Sequence, residues 1–266
     1  MTSQATTAPE NFLHAPVIAN RDYRPLLYWL VIAVILALGL ALLWRLGLIQ
    51  QVLATDHTYM SSLIAIVFTL TSLHCLVQCI AISREQIAAR QAEQMLDLHP
   101  GGQLSVRGGK VLVADGSALP PSIFTDYIAD LVRKAQLQAR GPVDQSILLR
   151  SLADRLNGRE RLGQFVSEAL LRMALLGTAI GFILMLLPIS GITSFEAEIL
   201  REALSGMSAG MAIALNVTVI GIASALILKL QYFALDQGVT ELFDAIVRAT
   251  EIKVLPVLER PGHALP

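Results

Sequence analysis

The sequence predicts an all-α, polytopic membrane protein. It is expected to have four transmembrane helices, with two long helices extending into a cytoplasmic helical bundle. Three observations carry this expectation. The 266 residues are 54% hydrophobic and only 15% charged, whereas ordinary soluble domains carry about 25% charged residues. Aromatic residues make up just 6%, so the apolar excess is aliphatic. Four apolar runs reach about 20 residues, the length a helix needs to cross the hydrocarbon of a bilayer. The formal net charge of -1 gives no basic footprint for nucleic acid.

Residues 1–25 come first, largely polar, with Pro9 and Pro16 and without the apolar core of a secretory signal. They are expected to form a flexible cytoplasmic tail. Residues 26–82 read as a transmembrane hairpin with spans at about 26–49 and 59–82. Tyr28 and Trp44 suit the two interfaces, and Arg45 can reach a headgroup. Residues 83–172 are expected to form a cytoplasmic helical domain. Its first stretch, 83–98, prolongs the second span, and Pro100, Gly101 and Gly102 then break it. Alternating apolar residues on either side of Gly108 and Gly109 signal a small β-hairpin near 103–114.

Helical periodicity returns at Ile123 and is interrupted at Gly141 and Pro142. Asp144 is placed to cap the next helix, which reads as continuing with little break into the third span. Residues 173–230 hold the expected channel-forming spans, at about 173–192 and 207–230. Between them, "FEAEILREAL" (Phe195 to Leu204) reads as a short amphipathic helix of its own. Pro188 either kinks the third span or marks its end. Residues 231–266 are expected to form a cytoplasmic helical tail that Pro256 stops.

Basic residues set the orientation. Arg21 and Arg24 precede the first span, Arg84 and Arg90 follow the second, Arg172 precedes the third and Lys229 closes the fourth. The two hairpin loops have one arginine between them. The positive-inside rule then places both termini and the middle segment in the cytoplasm, as in a multi-pass protein of a bacterial inner membrane.

Small residues stripe the fourth span. Gly206, Gly210, Ala214 and Thr218 fall at four-residue steps, and Gly221 and Ala225 continue the line. The third span answers with Ala174, Gly177, Thr178 and Gly181. Such faces bring helices close in lipid, where packing drives association. Two readings stay open: packing within one chain, or a narrow pore and seat for a partner helix. Each threonine can bond a carbonyl of its own helix, and each can equally hold a water or an ion. The four apolar cores contain no Asp, Glu or Lys, although an ion relay through a membrane usually needs an ionisable group.

Other polar residues in the spans have bland and sharp readings. Asn216 lies about 200° from Thr218 around the helix, which suits an interhelical or intersubunit hydrogen bond. His74 and Gln78 sit one turn apart beside Cys75 and Cys79. A metal or haem site is weighed against a polar pair satisfied inside the bundle, and one histidine favours the pair. Neither a metal site nor a cofactor is expected. No serine–histidine–aspartate set, HExxH run or phosphate loop suggests an enzyme, so no catalytic residue is assigned.

"LLGTAIGF" (Leu175 to Phe182) resembles the LLGT-x-x-G segment of the MotA/TolQ/ExbB proton-channel family. "ALNVTVIGI" (Ala214 to Ile222) resembles that family's A-L-x-x-T-x-x-G-L segment. The likeness covers roughly residues 140–235, with the first two spans matching by topology alone. It implies a homopentamer around a dimeric partner of the ExbD/TolR/MotB kind. That partner has one span bearing an aspartate, and a periplasmic domain. Protons, or sodium ions in some members, pass at the interface and drive rotation. Thr178 and Thr218 would line the ion path, and Gly177, Gly181 and Gly221 would allow close approach. The missing acid would thus be supplied in trans. Ile213 stands where Tol/Exb proteins often carry a glutamate, and four spans are the flagellar stator count, so the subfamily stays open. A non-conducting scaffold, with the stripe serving packing only, is the alternative from another class.

Overall fold

The computed structural model describes residues 24–47, 49–50, 59–99, 101–138, 143–158, 161–190 and 196–259. The expected tail before residue 24, the first hairpin loop and the break at Gly141 and Pro142 lie outside these residues. The described chain is almost entirely helical. Four of its helical stretches are long and apolar enough to cross a membrane, which makes it a multi-pass membrane protein by length and composition.

Helix α1 spans Arg24–Arg45 and α2 spans Met60–Leu98. The first span was expected to reach residue 49, but the helix ends at Arg45. Gly47 takes a left-handed backbone with φ of 74°, and its N–H bonds the Trp44 carbonyl at 3.0 Å. Only glycine adopts that closing geometry freely, so it overrides the apolar residues that follow. α1 leaves its apolar side chains almost wholly outside the fold, with Ile35 65% and Leu38 67% exposed. α2 runs unbroken for 39 residues, about 58 Å at 1.5 Å per residue, and so prolongs the second span as expected.

Two short strands follow, β1 (Ser105–Arg107) and β2 (Lys110–Leu112). They pair antiparallel with Val106 opposite Val111. Gly108 and Gly109 both have positive φ, 59° and 80°, which a two-residue turn of the favoured hand demands. The next turn is fastened by Asp115, whose carboxylate accepts from the Ser117 hydroxyl at 2.6 Å and its N–H at 2.9 Å. These bonds, the hydroxyl's foremost, hold the Asp115 carboxyl below its ordinary value.

Helix α3 spans Ile123–Leu137 and α4 spans Ser146–Asn157. Ser122 caps α3 by accepting from the Thr125 N–H at 3.1 Å. Glu85 of α2 takes the Ile123 N–H at 2.8 Å, which fastens α3 to the long helix. The cap of α4 is Gln145 rather than Asp144. Asp144 instead accepts from the Ser146 N–H at 2.9 Å, one residue early, as an Asx turn does. α4 is described to Asn157 with Gly158 in a turn, and helix resumes at Arg161; residues 159–160 between them lie outside the described residues, and the two stretches together form one candidate span, Ser146–Ser190.

The last two long helices are α5 (Arg161–Ser190) and α6 (Ala197–Ala249). Phe195 to Leu204 was expected to form a separate helix. From Ala197 onward it is instead the first part of α6, a 53-residue rod of about 80 Å. No proline interrupts this stretch. Gly206, the first glycine of α6, sits against Pro188 of α5. Pro188 lies inside α5, two residues before its end. α6 then passes into a π-helical turn, Thr250–Val254, and a last turn, α7 (Leu255–Leu258). Pro256 opens α7 rather than stopping the helix before it, because a proline in the first turn has no N–H to orphan.

Candidate functional site

α5 and α6 pack antiparallel along most of α5. The pairing is read from what a side chain on each glycine would strike. A Cβ on Gly163 would strike the Tyr232 ring, one on Gly177 would lie 2.3 Å from Val217 Cγ1, and one on Gly181 would lie 2.7 Å from the Ala214 backbone. One on Gly210 would lie 2.5 Å from the Met185 backbone N, one on Gly206 2.7 Å from Pro188, and one on Gly221 2.4 Å from Ala174 Cβ. These are separations that real Cβ atoms do not tolerate. The glycines are therefore required by the chain's own close packing.

The close approach expected of the small-residue faces is thus made within the chain, between α5 and α6. The expected residues Ala174, Gly177, Gly181, Gly206, Gly210, Ala214 and Gly221 all face the opposing helix, and Ala225 is buried in the core. The seam also has a different period from the one expected. Buried positions on α5 run Gly163, Ser167, Leu170, Ala174, Gly177, Gly181. These steps of four and three keep one face toward the neighbouring helix. On α6 the matching sequence passes through Val217, which is fully buried. The four-step stripe led to Thr218 and skipped Val217. The alternating three–four spacing was the available signal.

Thr178 and Thr218 are brought together at the flank of this seam, both half-buried. Their hydroxyl oxygens lie 2.5 Å apart. Thr178 Oγ1 is also 2.9 Å from the Ala174 carbonyl, and Thr218 Oγ1 is 2.9 Å from the Ala214 carbonyl. On the outer side, one turn away in each direction, stand Leu175 and Phe182 on α5 and Leu215 and Ile222 on α6. All four are exposed, by 65%, 55%, 60% and 41%. The hydroxyl pair therefore sits in an apolar surface open to lipid or to another chain. Asn216 is half-buried elsewhere on α6 and makes no hydrogen bond to a described residue.

A second polar group links α2 to α6. The Tyr232 hydroxyl lies 2.9 Å from His74 Nδ1, and Gln78 Nε2 lies 3.3 Å from His74 Nε2. The expected His74–Gln78 pair is thus completed by a tyrosine 158 residues away in sequence, which no local pattern announces. The Tyr232 ring occupies the space that Gly163 leaves empty. Cys75 and Cys79 are free and buried beside this group. Among the described residues no three His, Cys, Asp or Glu side chains converge as metal ligands would.

No protein-family model, curated protein or solved structure matches the chain.

Proposed function

We propose that this chain is the pore-forming subunit of an ion-driven motor or energising complex, in a bacterial inner membrane with both termini cytoplasmic. The observation that carries the reading is the Thr178–Thr218 pair. It is the meeting of two hydroxyls on a half-buried flank, in helix segments, 173–190 and 203–228, that contain no charged residue. Hydroxyls and carbonyls can pass an ion or hold a water, but they do not carry a proton by titrating. The acid must then come from a partner helix lying against Leu175, Phe182, Leu215 and Ile222. That surface, and not the closed face between α5 and α6, is where a membrane aspartate would approach the pair. Several copies of the chain, five on the family likeness, would surround the dimeric partner, and protons or sodium ions would drive their rotation.

The decisive experiment pairs Thr178→Val and Thr218→Val with a measurement of ion flux in vesicles holding the chain and its acid-bearing partner. Flux should fall at least about tenfold, the equivalent of about 1.4 kcal/mol of lost stabilisation, while expression and assembly stay intact. Normal flux in both variants would remove the pair from the ion path.

A non-conducting scaffold is the second reading. Its support is that every seam glycine is already filled by the chain's own opposite helix. It predicts no flux and no dependence on an acid-bearing partner.

A further inference from the structure

The uncharged stretch of α6, 203–228, ends at Lys229. A basic side chain at the end of a span reaches the headgroup layer of the bilayer. Here α5 and α6 leave a cavity of about 330 Å3, at the lower end of the range of about 300–1,000 Å3 for pockets that enclose ligands. Ser167 and Glu168 of α5 line it, with Lys229, Tyr232, Phe233 and Asp236 of α6. The Tyr232 ring, lying where Gly163 has no side chain, forms its inner wall.

The neutral polar groups of the cavity are already engaged. The Ser167 hydroxyl donates to the Gln164 carbonyl at 2.9 Å, and the Tyr232 hydroxyl bonds His74. Glu168 is held by Arg172 at 3.3 Å. Lys229 is exposed and Asp236 half-buried, and neither has an ion pair or hydrogen bond to a described residue. These two opposite charges stand seven residues apart on one face of α6, about 10.5 Å along its axis.

That face has a definite order. Leu226, Lys229, Phe233 and Asp236 follow one another at steps of three, four and three. Leu226 lies in the uncharged stretch and is 63% exposed, and Phe233 is 56% exposed. From the bilayer outward the surface is therefore apolar, cationic, aromatic and anionic. A phospholipid with a primary amine presents the complementary order: acyl chains, then a phosphate, then an ammonium.

We propose that the cavity binds the headgroup of an ethanolamine phospholipid. The Lys229 ammonium donates to the lipid phosphate, and the lipid ammonium donates to the Asp236 carboxylate, both as charge-assisted bonds. The Phe233 ring offers its face to the same ammonium, and the acyl chains pass along Leu226. Selectivity follows from the donors. A choline headgroup carries the same charges but no N–H for Asp236, and a glycerol headgroup has the phosphate without a cation. The site needs neither conduction nor a partner protein, so it stands apart from the ion path.

The test uses the full-length chain in phosphatidylcholine nanodiscs doped with a trace of one photoreactive phospholipid, with a diazirine high in the acyl chain. Ethanolamine, choline and glycerol headgroups are compared, and adducts are mapped by mass spectrometry. The ethanolamine lipid should label residues 164–168 and 226–233 at least about tenfold more than either of the others, the worth of a charge-assisted bond. Asp236→Asn should lower it to the choline level, and Lys229→Gln should lower it about tenfold, with helical content unchanged by circular dichroism. Millimolar soluble phosphoethanolamine should not displace the label, because it lacks the acyl chains. Equal labelling by the three lipids would mean ordinary bilayer contact and would overturn the proposal. Labelling unchanged in either folded variant, or displaced by the soluble headgroup, would overturn it too. The comparison of lipids on the unaltered chain decides the matter even where a variant folds poorly.

Discussion

Thr178 and Thr218 have two hydroxyl protons for three hydrogen-bond contacts. Their oxygens are 2.5 Å apart and each is 2.9 Å from a carbonyl one turn back. One proton must lie between the oxygens, so only one carbonyl is served at a time. The pair can therefore switch its donor from Thr178 to Thr218 without moving a heavy atom. It also retains lone pairs, which are the groups a cation or a water would bind.

A double-mutant cycle at this pair should show the sharing. Thr178→Val and Thr218→Val should each cost about 1 kcal/mol of stability, the net worth of a typical hydrogen bond. The double variant should cost less than their sum by about 0.5–1.5 kcal/mol, because each single change already breaks the shared bond. Chemical unfolding in mild detergent gives the three values. Strict additivity would mean that the oxygens do not bond.

The seam glycines should fall into two kinds. Gly177→Ala meets a side chain, the Val217 methyl at 2.3 Å, and should cost about 1–3 kcal/mol by overpacking. Val217→Ala should recover most of that loss. Gly181→Ala meets the Ala214 backbone at 2.7 Å, so Ala214→Gly should not rescue it. Thermal stability of the four variants in detergent decides the matter, and equal rescue at both positions would contradict the packing.

Tyr232→Phe should keep the ring that fills the space beside Gly163 and lose only the bond to His74. The expected cost is about 1–3 kcal/mol, that of a polar group left without its partner. Tyr232→Ala should cost more, about 3–5 kcal/mol, since it also leaves a cavity between α5 and α6. Equal effects of the two changes would show that the His74 bond carries the whole contribution.

The turn beyond β2 should loosen in acid. The Ser117 hydroxyl and N–H hold the Asp115 carboxyl below its ordinary value, so the folded turn favours the ionised form. Its contribution is present above the unfolded value of about 3.9 and is lost as pH falls through the lowered folded value. Ser117→Ala should move the Asp115 titration upward. Carboxyl carbon shifts followed by NMR would show this, and an unmoved titration would exclude the hydroxyl as the cause.

Much of the architecture was legible because it depends on composition and on a few punctuating residues. Apolar runs of bilayer length marked the four spanning stretches, and Gly108–Gly109 marked the hairpin. Boundaries were less legible where a single backbone conformation outweighs hydropathy. Gly47 ends α1 inside an apolar run, whereas nothing between Ala197 and Met207 was strong enough to break α6. In the candidate site, Thr178 and Thr218 were legible as rare hydroxyls in apolar surroundings. Val217 and Tyr232 were not, since one looks like any aliphatic residue and the other lies beyond the apolar stretch.

The sequence by itself determined that this chain crosses a membrane and that α5 and α6 carry small faces without charge. These properties follow from residue type and spacing, which each helix expresses alone. Only the tertiary structure decided what those faces touch. Glycine removes the side chain that would hold two helices apart, but a missing side chain does not say whose helix fills the space. Here α5 and α6 fill it for each other, and the paired hydroxyls are turned to the flank that another helix can still reach.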